Sequence, residues 1–334
     1  MSVAIIGVGL ACPLGLRSLP TLAAIRGGIH QFELLDGSER LVCKIEPEDG
    51  RRDPGTSRSQ RAAFYAAAAL SELFEFCDWT DPPAVHLATP EPGVFAGLDL
   101  ASVWAPIVAG SPRALPQAPR LFASGRAGAF EALAAARDRL ESGEVQLVIL
   151  GGFDSLTSAD CLAQLGADPR IPGEGAAFLL LTRAQLLGPR TPQALAYLEA
   201  LAMTVDPQPF ASGEPARASG LGAAFRELRS RGAGRVDIAH GVAPSEGWWA
   251  QDFTYAYLRN AALLPEPLTV TTLHDSLGEM GPAGGAAALV RGVRGVRPWF
   301  SGSHAPIHRR ALVYASADAG LVGACTIVDA PSEG

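Results

Sequence analysis

The sequence predicts a layered α/β fold with largely parallel sheets, built as two halves with the same order of elements. Three observations predict it. Short apolar runs recur along the 334 residues and stop at glycines, the pattern of strands buried on both faces. Alanine-rich segments long enough for helices lie between those runs. Strand and helix then alternate on both sides of Pro192, as layered α/β chains do.

The first half opens with Val3-Ala-Ile-Ile-Gly-Val-Gly, an apolar run that reads as a buried first strand. Thr21–Arg26 makes a short helix, and residues 36–60, polar and turn-rich, make a surface loop. Arg61–Cys77 is alanine-rich with no interior glycine or proline, hence a helix. Ala84–Thr89 is a short strand, and the prolines and glycines of Pro90–Pro119 predict irregular structure. Leu121–Ala123 is a strand, Ser124-Gly125 a turn and Ala127–Ser142 a helix that Gly143 ends. Val145–Leu150 is a buried strand closed by Gly151-Gly152, and Ala176–Leu181 is another. In the second half, strands are expected at Ala194–Thr204, Val236–Ala239, Leu268–Leu273, Ala311–Ala315 and Val322–Val328. Helices are expected at Ala216–Arg231, Trp248–Leu263 and Ala283–Val293. The halves, 1–190 and 191–334, are alike in order of elements but not in sequence, and together are expected to form one compact unit.

Composition excludes several functions. At 48% hydrophobic the chain has enough apolar surface to fold, and no apolar stretch approaches the ~20 residues of a membrane span. A formal charge of −7 leaves no basic face for general nucleic-acid binding. Five cysteines (Cys12, Cys43, Cys77, Cys161, Cys325) are scattered without a CxxC pair, so buried, inert thiols are expected rather than metal ligands or disulfides. The first residues lack the basic start of a secretory signal, and a cytosolic protein is expected.

Several segments carry a resemblance. Val3 through Cys12-Pro-Leu-Gly, Ala132–Gly152 with Asp154-Ser155-Leu156, Ile171-Pro-Gly-Glu-Gly-Ala-Ala-Phe-Leu-Leu-Leu, His240-Gly241, and Gly278 with Gly281–Gly285 together resemble the β-ketoacyl synthase family. The resemblance implies a thiolase-like, five-layer α-β-α-β-α fold of two fused similar halves. It implies a cysteine at a helix N-terminus, where backbone N–H groups favour an anion. Two histidines would assist decarboxylation and hold the thioester oxygen. No cofactor or metal is implied.

The departures are as informative. The position of the family's cysteine falls on Arg126, that of the second histidine on Glu279, and that of its preceding lysine on His274. The C-terminal Gly-Phe-Gly-Gly loop becomes Asp318-Ala-Gly-Leu-Val, and of the reactive set His240 alone is expected to survive. The expected site is therefore a vestigial pocket of Arg126, His240, His274 and Glu279, with Arg126 and Glu279 forming an ion pair and His240 a possible third member. Ser124 reads as a helix cap or as a replacement nucleophile, Glu174 as a backbone anchor, and Trp248 and Trp249 as packing residues. His304 and His308 read as an exposed loop or a metal site.

The resemblance thus implies a degenerate, non-condensing member of the chain-length-factor type. Its expected partners are a second copy or a cysteine-bearing ketosynthase, joined through Leu121–Ala123, and an acyl carrier protein. Two alternatives stand beside it. One is an acyl-carrier-linked decarboxylase or acyltransferase using His240. The other is a binding or assembly protein unrelated to acyl chemistry.

Overall fold

A computed structural model describes residues 3–35, 37–45, 53–76, 79, 82–94, 98–166, 168–188, 193–296 and 309–329. The first half runs β1 (Val3–Ala11), α1 (Ser18–Arg26), β2 (Phe32–Leu34), β3 (Leu41–Cys43), α2 (Arg58–Leu73), β4 (Ala84–Ala88), α3 (Leu100–Gly110), β5 (Arg120–Phe122), α4 (Gly128–Glu141), β6 (Leu147–Ser155), α5 (Ala159–Leu165) and β7 (Glu174–Arg183). The second runs β8 (Ala196–Val205), α6 (Ser219–Ser230), β9 (Ile238–Gly241), α7 (Gly247–Arg259), β10 (Val270–Thr272), α8 (His274–Leu277), α9 (Pro282–Gly295), β11 (Arg310–Ser316) and β12 (Leu321–Val328).

Ten strands form one sheet in the order β10-β9-β11-β12-β8-β1-β7-β6-β4-β5, joined at the middle by antiparallel pairing of β1 with β8. Each half contributes five strands in the same pattern, so β1, β4, β5, β6 and β7 correspond to β8, β9, β10, β11 and β12. The sheet is mixed, which corrects the expectation of largely parallel pairing. β4 lies parallel to β5 and β6, and β9 to β10 and β11, but β1, β7, β8 and β12 pair antiparallel. Fully buried antiparallel strands show the same continuous apolar runs as parallel ones, so the pattern did not separate them.

Alternation along each strand divides the core into three. On β11, Ala311, Val313 and Ala315 face the central core while Leu312 and Tyr314 face an outer one. The central core holds α4 and α9 between the two half-sheets; α2 and α3 cover the first half and α6 the second. Helix, sheet, helix, sheet, helix is thus the observed layering. Burial on all sides explains the alanine and glycine content of α9: a Cβ at Gly285 would sit 2.1 Å from the Arg126 carbonyl oxygen.

Some expectations shift. β6 does not close at Gly151-Gly152 but continues to Ser155, because those glycines let Phe178 and the start of α9 approach its backbone. Within Pro90–Pro119 the chain forms α3, capped by Asp99 and tolerating Pro106 near its outer end. The segment 36–60 contains β3 and the capping box of α2, in which Ser57 and Gln60 bond reciprocally. Cys12, Cys43, Cys161 and Cys325 are buried free thiols, and burial pushes Cys12 up to about 12; Cys77 lies outside the described residues. No helix among the described residues is long and apolar enough to cross a membrane.

Candidate functional site

Between β5 and α4 the chain makes one tight turn, Gly125–Ala127, with Gly125 at φ +50°. A side chain on Gly125 would meet Glu91 Oε1 at 2.8 Å, so the turn needs glycine for both conformation and space. Arg126 at its centre is 4% exposed. All three of its side-chain nitrogens donate: Nη1 to Glu279 Oε2 at 2.5 Å, Nη2 to Asp318 Oδ1 at 2.6 Å, and Nε to the Ser316 carbonyl at 3.1 Å. The expected pair of Arg126 with Glu279 is present, and it is one link of a larger network.

Arg170 is the second cation. Its Nη1 donates to Asp318 Oδ2 at 2.8 Å and its Nη2 to Asp168 Oδ2 at 2.6 Å, while Nη1 lies 3.6 Å from Glu279 Oε2. Its guanidinium carbon stands 5.3 Å from the Phe210 ring centre and 5.6 Å from that of Trp249. Glu279 also accepts from the Gly281 N–H at 2.9 Å, and its own backbone is bonded to Ile171 and Gly173. Glu91 accepts the N–H groups of Asp318 and Ala319 at 2.9 and 2.7 Å, fixing the loop that carries Asp318. Burial alone would raise the Asp318 carboxyl, but Arg126 and Arg170 outweigh it and hold the group below its ordinary value. Burial likewise opposes the charge on Arg126, and Asp318 and Glu279 more than restore it. A buried charge cluster survives only when its members are paired and hydrogen-bonded, as these are.

His240 is not part of this network, which corrects its expected place in the pocket. Its Nδ1 is 2.8 Å from Thr271 Oγ1, and its Nε2 faces Gly295. Arg126 packs against Gly284 and Gly285, eleven residues away at the opposite end of α9, or about 16 Å along the helix. The residue following β9 that reaches the site is Val242, whose Cγ1 would lie 2.7 Å from a Cβ on Gly284. Two residues of register separate a histidine from the position it was expected to hold.

His274 borders the network but serves the backbone: its Nε2 accepts the Ile171 N–H at 3.1 Å. That bond requires an unprotonated Nε2, and burial lowers the imidazole's proton affinity. Ser124 is not a side-chain cap; its hydroxyl donates to Glu131 Oε2 at 2.8 Å. Glu174 anchors structure, bonded to Arg61, Tyr65, Ser155, Thr157 and the Ile45 N–H. Trp249 stacks on Phe210 at 4.3 Å and Trp248 donates to the Glu214 carbonyl. His304 and His308 lie outside the described residues.

Arg170, Asp168 and Glu91 were not singled out from the sequence. A signal existed for Arg170, which directly precedes the Ile171-Pro-Gly-Glu-Gly segment, and Asp318 was visible as an acid in a loop expected to be glycine-rich.

No family model matches the chain, and no curated protein matches it in sequence. Solved structures do match in shape. The ishigamide ketosynthase/chain length factor is 17% identical with a TM-score of 0.73, covering 98% of this chain and 99% of that one. A ketosynthase from module 6 of the bacillaene synthase of Bacillus subtilis 168 is 12% identical with a TM-score of 0.76, covering 99% and 72%. The AntDE:AntF assembly, a type II polyketide acyl-carrier protein in complex with its ketosynthase bound to the hexaketide, is 11% identical with a TM-score of 0.75, covering 98% and 99%. The chain therefore has the thiolase-like fold found in ketosynthases and chain length factors.

Proposed function

We propose that this protein is a non-condensing, ketosynthase-like subunit that pairs with a cysteine-bearing ketosynthase in polyketide- or fatty-acid-type acyl chain biosynthesis. The observation that carries the proposal is Arg126. At the turn where a condensing enzyme places its thiol stands a guanidinium bonded through every nitrogen to Glu279, Asp318 and Ser316. An arginine stays protonated and offers no electron pair for acyl transfer. The imidazole expected from the His240 motif is elsewhere, with Val242 in its place. This also weighs against the reading in which His240 decarboxylates or transfers an acyl group.

The partner would add to β5, an end strand of the sheet whose Leu121 is 49% exposed. An unpaired strand edge is a template for a second sheet. A carrier protein is proposed as a further partner, because one is seen on the ketosynthase of a structural neighbour. The decisive experiment is co-expression with a cysteine-bearing ketosynthase, followed by purification and intact-mass measurement after incubation with a malonyl or acyl thioester. A stoichiometric complex in which the partner alone becomes acylated is expected. An adduct on this chain would overturn the reading.

A further inference from the structure

A cavity of about 320 Å³ lies beneath α7, against the outer face of β10 and β11 and beside the charge network, sharing Val242 and Ser316 with it. Its walls include Trp249, Phe253 and Tyr314, and its charged residues are Asp252 and Asp275; no lysine or arginine lines it. Three of the residues on its walls carry a polar atom with no hydrogen-bond partner among the described residues: Asp252 Oδ1, Trp249 Nε1 and Thr272 Oγ1. These residues are 3%, 7% and 8% exposed. Such atoms are rare in buried positions, and three of the twelve among the described residues belong to this one cavity's walls.

Asp252 is the distinctive one. The other buried carboxylates are each matched by a guanidinium or by two or more N–H and O–H donors, as with Asp154 on Arg58, Glu174 on Arg61, Glu279 on Arg126, Glu72 on Leu10 and Ser18, and Asp206 on Gln208 and Gly220. Asp252 has the Ala218 N–H, a distant balance of Arg259 against Asp206, and an oxygen left over. Burial pushes its carboxyl up to about 7, with Asp206 adding to the effect, so a cation brought beside it would be stabilised strongly.

We infer that this cavity is a binding site for a small organic amine with an apolar body. The ammonium would donate to Asp252, with Thr272 beside it, and the apolar body would lie along Phe253 and Tyr314. Asp252 Oδ1 is closed off from solvent, and turning the carboxyl about its terminal bond, a soft torsion, presents it to a ligand. Anions are disfavoured because two acids and no base line the space. The size is at the lower end of small-molecule sites. The inference is independent of the acyl-chain proposal, because Asp252, Thr272, Phe253 and Tyr314 make no hydrogen bond or ion pair with the Arg126 network.

The test uses the full chain and three probes of one shape, followed by calorimetry: phenylalaninol, its isosteric phenylpropanediol, and phenyllactate. Phenylalaninol is expected to bind roughly tenfold or more tighter than the diol, the scale of a charge-assisted hydrogen bond, with phenyllactate weakest. Asp252→Asn is expected to erase the preference. If that variant does not fold, Thr272→Val reads the same site and is expected to weaken phenylalaninol severalfold. Equal binding of amine and diol, no binding of either, or full affinity in a folded Asp252→Asn protein each overturns the inference.

Discussion

At Arg126 three donors meet three oxygens, and two of those oxygens belong to carboxylates, the buried Glu279 and the half-buried Asp318. Arg126→Ala leaves Glu279 and Asp318 with Arg170 as their remaining guanidinium, and the loss of one member of a buried ion cluster costs about 3–5 kcal/mol. Urea denaturation is expected to show a loss of that size, with a smaller one for Arg126→Met combined with Glu279→Gln, which removes both charges of the pair. The half-buried Asp318 and the buried Asp252 give opposite pH signatures. Asp318 is depressed, so its contribution is present above the ordinary carboxyl value of 3.8 and is lost as pH falls through its lower folded value. Asp252 is raised from 3.8 to about 7, so between those values the folded state holds a proton that the unfolded chain has released. Stability therefore falls as pH rises across that window. Denaturation at stepped pH is expected to show Asp252→Asn flattening the slope between 3.8 and 7, and Asp318→Asn flattening only the acid limb.

Among the elements, α9 makes the sharpest demand on sequence. A methyl on Gly285 would approach the backbone oxygen of Arg126 to 2.1 Å, whereas one on Gly292 would meet Val313 Cγ2 at 2.6 Å, the tip of a side chain. Gly285→Ala must displace the turn that holds Arg126 and is expected to lower the melting temperature sharply. Gly292→Ala gains about 1 kcal/mol of helix propensity against an overpacking cost of roughly 1–3 kcal/mol, and is expected to be nearly neutral by comparison. The elements were largely legible in the sequence because apolar runs and glycine stops mark buried strands, as at β1, β6 and β7. What was not legible has particular causes. Prolines flanking α3 masked a helix that Asp99 initiates, since a cap and a buried face outweigh one interior proline near the end. His240 was misplaced because a histidine followed by glycine looks the same two residues out of register, and the true position carries an unremarkable valine. Arg126 and Glu279, by contrast, could be paired before any coordinates, because both fell at positions expected to face each other.

For the whole molecule, the charge network joins residues from opposite ends of the chain. Arg126, Asp168 and Arg170 come from the first half, Glu279 and Asp318 from the second, so the central layer is closed by ions as well as by apolar packing. The assembly proposed through β5 has its own test. Leu121→Arg places a charge on the exposed end strand without touching the core, and light scattering is expected to show wild-type complexes and a dissociated variant. A wild-type chain that stays monomeric at micromolar concentration, both alone and mixed with a cysteine-bearing ketosynthase, would remove the edge from consideration.

The guanidinium at 126 also sets the paths open to this lineage. Placing a thiol there in one substitution deletes the cation that Glu279 and Asp318 share, at a cost of about 3–5 kcal/mol, a large share of the ~5–15 kcal/mol that holds a typical domain together. A histidine at 279 made first leaves Arg126 beside a second cationic group whenever the imidazole is protonated, and a thiol–imidazole pair here therefore needs simultaneous changes on β5–α4, the α8–α9 link and the β11–β12 loop. On the proposed function, folding stability alone is enough to keep a thiol out of this position, with no need for selection on activity.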